Sequence, residues 1–186
     1  VFLYHSFLDL NKKYNFKIGL AHINYRTSRM SKKAAEMCLK LSNKNKHPFY
    51  LKHYNRTVGK NFEHLAREFR YSFFMNIKNK EKYDYIVTGH NRDDLIETMY
   101  MQNNCNDFSI LPYSKSPKFL LRPMLAYTRN DIKNYIDSQK ISYIDDPTNN
   151  SLKYKRNELR LNVLPKLKNK EKIFKDLLEC YRDKLD

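Results

Sequence analysis

The residue types that this 186-residue sequence lacks exclude several classes of protein. It has no Trp and only three Gly, and no apolar run approaches the roughly 20 residues that span a bilayer. Its first residues have neither the basic lead nor the small-residue cleavage site of a signal peptide. We therefore expect a cytoplasmic protein with no membrane partner.

The few cysteines form no recognisable pattern. Cys38, Cys105 and Cys180 are widely spaced, odd in number and include no C-x-x-C pair. This spacing indicates neither a disulfide framework nor a zinc site, and it agrees with a reducing compartment. We predict no metal ligands among the residues of this chain.

Positive charge, by contrast, is abundant. The 36 Lys and Arg outnumber the 20 Asp and Glu and give a net charge of +16. This balance favours a polyanionic partner, and nucleic acid is the first candidate. Base composition is the alternative explanation, because an AT-rich genome would also enrich Lys, Asn, Tyr, Phe and Ile at the expense of Gly. Both explanations stay open at this point.

The stretch from residue 83 to residue 101 is the most informative part of the chain. Tyr83–Thr88 is a short β-rich run, and Gly89 ends it where the backbone must turn sharply. Asp94 and Glu97 follow three residues apart, so both carboxylates project toward one side of a first helical turn. Ligands of open α/β sheets bind just beyond the carboxyl ends of the strands. We therefore predict the chemical site here.

The same acidic residues also have a purely structural explanation. Asp93 could cap the helix, and Asp94 and Glu97 could favour its dipole, an arrangement worth about 0.3–1 kcal/mol per charge. Spacing alone does not decide between the two explanations. A cap requires only one acidic residue, however, and it leaves His90 and the adjacent aspartates unexplained.

Short strands alternate with amphipathic helices before this stretch. Lys17–Tyr25 and Phe49–His53 have the composition of buried strands. Short loops connect them to the predicted helices on either side. This alternation predicts an α/β fold with a doubly wound parallel sheet. We place an α/β nucleotide-binding domain at residues 1–125 and a helical segment at residues 126–186. Within them, Ser31 and Thr128 are the predicted N-caps of two helices.

Polar and basic residues elsewhere are weaker candidates. His22 and Asn24 lie at the end of a predicted strand, where they could equally be polar groups that cap it. Arg67 and Arg70 share a face of a predicted helix. Such a pair is either a solvated charged face or a clamp for phosphate groups.

A second pair of arginines lies near the end of the chain. Arg156 and Arg160 are four residues apart on a predicted helix, beside Lys155, and present two cations suited to neighbouring phosphates. Alternatively, one of them anchors Asp145 or Asp146 through an ion pair.

Five segments match, in order, the motifs of a known family. They are His22–Asn24 (H-x-N), Asn61–Tyr71 (N-x-E-x-x-A-R-x-x-R-Y), Gly89–Thr98 (G-H-x-x-D-D-x-x-E-T), Arg122–Leu125 (R-P-L-L) and Asp146–Arg160 (D-P-[ST]-N followed by R-N-x-x-R). The ordered set resembles the tRNA(Ile)-lysidine synthases, which are members of the PP-loop ATP pyrophosphatase group. The resemblance implies a Rossmann-like fold of the PP-loop ATPase type with a helical C-terminal part on the tRNA side.

The resemblance also implies an enzyme and its substrates. Such an enzyme uses ATP, with Mg²⁺, to adenylate carbon 2 of the wobble cytidine in the tRNA(Ile) with anticodon CAU, and pyrophosphate is released. The amine of free L-lysine then attacks, AMP leaves and lysidine is formed. A homodimer is one option for the oligomeric state.

Roles for individual residues follow from the same resemblance. Asp94 and Glu97 would bind the ammonium groups of lysine, and Arg70 would stabilise charge on the leaving group, so that these three are the predicted catalytic residues. The predicted ATP-binding residues are His22, Asn24, Arg67 and His90. The predicted tRNA-binding residues are Arg122, Arg156 and Arg160.

The sequence departs from the family pattern in two places. The family's S-G-G-x-D-S loop, which cradles pyrophosphate and supplies the expected Mg²⁺-binding Asp, would lie just before Val1 and is not in this sequence. We expect that loop to be truncated or disordered rather than lost in evolution. The family's Gly-rich segment is replaced by residues 103–118, and its C-terminal tRNA-binding extension is at most partly represented.

Two other functions remain as alternatives. One is another PP-loop tRNA-modifying enzyme such as a thiolase, although that chemistry generally relies on cysteines in a suitable spacing. The other is a non-catalytic RNA-binding module of the same fold. An S-G-G-x-D-S sequence encoded upstream of Val1 would favour the synthase, and its absence would favour the binding module.

Overall fold

The computed structural model describes residues 1–26, 28–55, 59, 62–101, 117–144, 155–166, 172 and 175. The helices are α1 (Phe2–Tyr14), α2 (Met30–Lys44), α3 (Phe62–Glu81), α4 (Arg92–Met101), α5 (Arg129–Ser138) and the short α6 (Lys155–Glu158). The strands are β1 (Leu20–Asn24), β2 (Phe49–His53), β3 (Ile86–Val87) and β4 (Leu120–Leu121). Within these ranges, no helix combines the length and the apolarity that crossing a membrane requires.

The chain divides into two compact units. The N-terminal unit comprises residues 4–86, and the C-terminal unit comprises residues 87–186 together with residues 1–3. The proposed division at residue 125, between a nucleotide-binding part and a helical part, stays a prediction.

Parallel pairing of β1 with β2 organises the N-terminal unit. Leu20 lies opposite Phe49 and Asn24 opposite His53, in the parallel arrangement that the sequence predicts. Parallel neighbours need a long crossover connection. Helix α2 provides it and turns Ala35 and Ser42 into the interior.

Aromatic rings fill the core of this unit. Ile23, Tyr54 and Ala66 are buried, and five partly buried side chains pack against them: Tyr25, Phe62, Phe69, Phe73 and Phe74. Tyr54 meets Phe69 edge to face, with ring centroids 5.1 Å apart, a geometry worth about 0.5–1.5 kcal/mol beyond burial. The apolar stripe of α3 therefore faces the core as its helical spacing predicts.

The C-terminal unit is built around the start of α4. Thr88 N–H donates to the carbonyl oxygen of Leu121 at 3.0 Å, beside the pairing of β3 with β4. Pro123 ends β4 and begins a 3-10 helix, Pro123–Ala126, because proline has no N–H for a strand ladder. Helix α4 packs against this turn and against a π-helical segment, Leu159–Val163, which a 3-10 turn, Leu164–Lys166, follows.

One predicted helix cap is confirmed and the other is wrong. Thr128 caps α5, since its Oγ1 accepts from Asp131 N at 3.1 Å while the Asp131 carboxylate accepts from Thr128 N at 2.8 Å. Ser31, however, lies inside α2, and Arg29 precedes that helix with no side-chain cap. Ser31 Oγ instead accepts a 3.3 Å hydrogen bond from Ser28 N, which closes the turn before the helix.

The predicted turn at Gly89 does not require glycine. Gly89 has no positive φ, and a Cβ there would meet Met124 Sδ at 3.6 Å, an ordinary contact. The regular strand before it is also shorter than predicted, since β3 comprises only Ile86–Val87. Tyr83 N–H bonds back to Lys78 O at 2.9 Å and so belongs to the end of α3.

Gly19, just before β1, is the glycine for which the packing leaves no room. An added Cβ would overlap the Tyr83 hydroxyl and lie 2.8 Å from Tyr83 Cζ and 3.1 Å from Tyr50 Cε2. We expect Gly19→Ala to lower the free energy of unfolding by roughly 1–3 kcal/mol through overpacking, as measured by urea denaturation. Gly59→Ala is the matched control, since nothing lies within 4 Å of its added Cβ. Equal losses in the two variants would contradict the steric explanation.

Candidate active site

Reciprocal hydrogen bonds close the first turn of α4. Asn91 Oδ1 accepts from Asp94 N at 3.0 Å, and Asp94 Oδ2 accepts from Asn91 N at 3.0 Å. This is a capping-box arrangement, so Asn91 is the N-cap rather than Asp93. Asp94 therefore stabilises the start of the helix, as the structural explanation of the acidic residues predicts, and its catalytic role stays a prediction.

Asp93 joins α4 to α5. Its Oδ2 accepts from the backbone N of Arg129 at 2.6 Å, and Arg92 N donates to Tyr127 O at 2.9 Å. These bonds fix the first turn of α5 against the first turn of α4. The side chain of Arg129 is thereby placed beside Asp94.

Glu97 and Arg160 form a buried bidentate ion pair. Glu97 is 0% exposed, and Arg160 donates from Nε to Oε1 at 2.8 Å and from Nη2 to Oε2 at 3.1 Å. Parallel bonds of this kind are strong and fix the orientation of both groups. The residues are 63 positions apart, so the G-H-x-x-D-D-x-x-E-T and R-N-x-x-R segments meet at this contact.

Two arginines and two carboxylates make up one cluster. Arg129 Nη2 lies 3.7 Å from Asp94 Oδ1 and 3.7 Å from Glu97 Oε1. Arg160 Nη2 lies 3.9 Å from Asp94 Oδ1. We call these four residues the charge cluster.

Arg129 is a member of this cluster that sequence reasoning missed. One signal was available, because Arg129 follows the predicted N-cap Thr128 and so begins a helix. A cation in the first turn of a helix opposes the helix dipole. Such a placement suggests that the side chain has a partner elsewhere in the fold.

The other predicted residues of this unit are placed as follows. His90 Nδ1 lies 2.9 Å from Thr88 Oγ1, just before α4. Arg122 is 6% exposed and follows β4. Arg156 lies in α6, but its side chain, like the loop at 145–150, falls outside the described part of the chain. The tRNA-binding role of Arg122, Arg156 and Arg160 stays a prediction.

In the N-terminal unit, Asn24 is the last residue of β1, whereas His22 is its central residue rather than its end. His22 Nδ1 is 3.8 Å from Cys38 Sγ, and burial, together with nearby His53, lowers the pKa of His22. Asn24 is buried, and its Oδ1 accepts from Arg26 N at 2.9 Å. Asn24 therefore shapes the turn that follows the strand.

Arg67 and Arg70 have different partners in the same unit. Arg70 Nε donates to the Tyr25 hydroxyl at 2.9 Å, which holds this guanidinium just after β1. Arg67 lies over the ring of Tyr71, 4.9 Å from its centroid, and is exposed. The two side chains therefore do not act as one clamp in this structure, although each stays a candidate for phosphate binding.

Comparison with known proteins places the chain in a family. A family model described as a PP-loop domain matches residues 1–167. The chain belongs to the PP-loop family. This membership confirms the predicted α/β fold of the Rossmann-like PP-loop type.

Two curated proteins that are similar to this PP-loop chain are tRNA(Ile)-lysidine synthases. It is 35% identical to the tRNA(Ile)-lysidine synthase of Buchnera aphidicola subsp. Baizongia pistaciae, over 91% of this chain and 40% of that protein. It is 31% identical to the tRNA(Ile)-lysidine synthase of Lactococcus lactis subsp. lactis, over 89% of this chain and 38% of that protein. The resemblance to the tRNA(Ile)-lysidine synthases is therefore confirmed. The chain spans about two fifths of the length of these relatives.

A solved structure shares the fold of this PP-loop chain. It is the U34-tRNA thiolase NcsA from Methanococcus maripaludis with its 4Fe–4S cluster, and the TM-score is 0.66. The match covers 93% of this chain and 66% of that chain at 18% identity. At this identity, the likeness is evidence of the fold alone.

Removing one partner of the buried pair should destabilise the C-terminal unit. We expect Glu97→Gln to lower the free energy of unfolding by about 3–5 kcal/mol, because the Arg160 guanidinium then loses the carboxylate that accepts both of its short hydrogen bonds. Urea denaturation followed by circular dichroism measures the change. Glu158→Gln, which removes an exposed carboxylate from α6, is the control. A loss in Glu97→Gln no larger than in this control would contradict the structural role of the pair.

Proposed function

We propose that the protein containing this chain is a tRNA(Ile)-lysidine synthase. It uses ATP to join L-lysine to carbon 2 of the wobble cytidine in the tRNA(Ile) with anticodon CAU. The ordered motifs and the names of the curated relatives support this proposal. The single observation that carries it is the contact of Glu97 with Arg160, which joins two of the motifs in one cluster at the start of α4.

The proposed reaction has two balanced steps. The oxygen on carbon 2 of the cytidine attacks the α-phosphate of ATP, and pyrophosphate leaves. An amine of lysine then attacks carbon 2, loses a proton, and AMP leaves with the oxygen. The enzyme must therefore bind phosphate groups and must also hold a cationic amino acid.

The two carboxylates of the charge cluster have different roles in binding lysine. Glu97 is fully buried and hydrogen-bonded through both oxygens to Arg160, so we assign it a positioning role. The side chain of Asp94 is 17% exposed, whereas that of Glu97 is 0% exposed. We therefore assign the direct contact with a lysine ammonium group to Asp94.

Five residues of the matched motifs are the candidates for binding ATP and its phosphates. Arg70, held through Nε by Tyr25, can present its terminal nitrogens to a phosphate, and we assign it to the charge that develops on the leaving group. We assign His22, Asn24, Arg67 and His90 to ATP, in keeping with their positions in the motifs. These assignments rest on the resemblance and on proximity to strand ends.

The carboxylates of the charge cluster do not fit a Mg²⁺ site. Mg²⁺ requires oxygen ligands near 2.0–2.1 Å in octahedral geometry. At Asp94 and Glu97, a metal ion would have to displace the guanidinium groups of Arg129 and Arg160. We assign no described residue to Mg²⁺. A cytoplasmic location and a homodimer stay predictions.

The test uses the gene expressed with all the sequence that flanks residues 1–186. Purified protein is incubated with ATP, labelled L-lysine and a CAU-anticodon tRNA(Ile) transcript, and we expect ATP-dependent transfer of label to the RNA. A transcript with uridine at the wobble position is the control and should remain unlabelled. Binding of tRNA without label would favour the RNA-binding module. Sulfur transfer in place of lysine would favour the thiolase.

Asp94→Asn separates the role in capping from the role in substrate binding. Asparagine keeps an oxygen that can accept from Asn91 N, so we expect little change in the free energy of unfolding. Losing a charged hydrogen bond to lysine should lower kcat/KM for lysine by about 10- to 150-fold. Steady-state lysine incorporation measures this effect, and Asp137→Asn, an exposed site on α5, is the control. Wild-type kcat/KM in Asp94→Asn would end the assignment.

The two C-terminal arginines should respond differently to truncation. We expect Arg156→Ala to weaken tRNA binding and to make the slope of log affinity against log salt shallower by roughly 0.7–0.9. Arg160→Ala should instead destabilise the fold, because it leaves Glu97 as a buried charge without this counter-charge. Filter binding at several salt concentrations and urea denaturation make the two measurements. An unchanged slope in folded Arg156→Ala would exclude a phosphate contact.

A further inference from the structure

Among the described residues, the positive and negative charges of the charge cluster are equal in number. Asp94 and Glu97 carry two negative charges, and Arg129 and Arg160 carry two positive charges within 4 Å of them. A carboxylate attracts a cationic ligand less strongly when arginines already surround it. A lysine ammonium group therefore competes with one of these guanidinium groups for Asp94.

The two arginines are held with different strength. Arg160 makes hydrogen bonds of 2.8 and 3.1 Å to Glu97, and its side chain is 20% exposed. Arg129 lies 3.7 Å from each carboxylate, beyond hydrogen-bond distance, and its side chain is 41% exposed. Arg129 has no short hydrogen bond to lose at either carboxylate, whereas the buried bidentate pair of Arg160 is costly to break. Arg129 is thus the cation that a ligand displaces more readily.

The backbone of Arg129 allows its side chain to move alone. Its N–H is bound to Asp93 Oδ2 at 2.6 Å, and the capping box of Thr128 and Asp131 fixes the same helical turn. The positive end of the α5 dipole also repels a cation at this position. The guanidinium can therefore turn toward water while α5 remains in place.

We propose that Arg129 is a competitor built into the site, whose guanidinium occupies the cation position at Asp94 and gives way to an ammonium group of L-lysine. This inference rests on the proposed function. Arg129 then sets the apparent affinity for lysine and makes the site selective. A ligand displaces it only by forming short hydrogen bonds to Asp94, which a cation held at longer distance does not form.

The test measures KM for L-lysine in the incorporation assay with the complete protein. We expect Arg129→Gln to lower this KM by about two- to fivefold, because the competing charge is removed. Arg129→Lys should give a KM between those of the wild type and of Arg129→Gln, since an ammonium group keeps the charge but cannot span both carboxylates. Lys133→Gln, which removes the same charge one helical turn further along α5, should leave KM unchanged. Damage to the site would raise KM, so a decrease distinguishes competition from a structural role.

The outcomes separate this inference from the proposed function. An unchanged or higher KM in folded Arg129→Gln, with lysine incorporation by the wild type, overturns the competitor role alone. If Arg129→Gln does not fold, Arg129→Lys replaces it, and an unchanged or higher KM for lysine in that variant overturns the competitor role. Failure of the wild type to incorporate lysine under any condition overturns both proposals.

Discussion

A carboxylate buried without solvent needs a counter-charge, and Glu97 imposes that requirement on the C-terminal unit. Arg160 meets it with two hydrogen bonds, from a π-helical segment at the far end of the described chain. Such segments are frequent at functional sites because they redirect side chains. The pair draws Leu159–Val163 onto α4, and the position of Asp94 within the charge cluster depends on that packing.

Local features of the fold were predictable from the sequence because their causes lie within a few residues. The Thr128 cap follows from residue type and spacing, and the aromatic stripe of α3 follows from helical periodicity. The Ser31 cap was wrong, since several polar residues precede α2 and residue type does not show where its turn closes. The strand ends before Gly89, as predicted, but Gly89 has no positive φ and glycine is not required there. The strand before Gly89 was overextended because Tyr83 bonds back to α3.

Half of the charge cluster could be predicted in the same way. Asp94 and Glu97 share one side of α4, as their spacing indicates, but their arginine partners could not be identified. Glu97 and Arg160 are 63 positions apart, and no periodic pattern links residues at that separation. Sequence reasoning directed Arg160 toward phosphates or toward Asp145 and Asp146, whereas the fold directs it toward Glu97.

The buried pair also constrains how this chain can diverge. Exchanging Glu97 alone or Arg160 alone leaves one charge in the interior without its partner, so single steps at either codon are selected against on stability. Positions 97 and 160 should therefore covary among related sequences, with both residues kept or both replaced. This constraint comes from stability alone, so it holds for any relative that keeps the same fold. The joint presence of Glu97 and Arg160 therefore carries information about the fold, whereas the more accessible carboxylate of Asp94 is under no comparable constraint from burial.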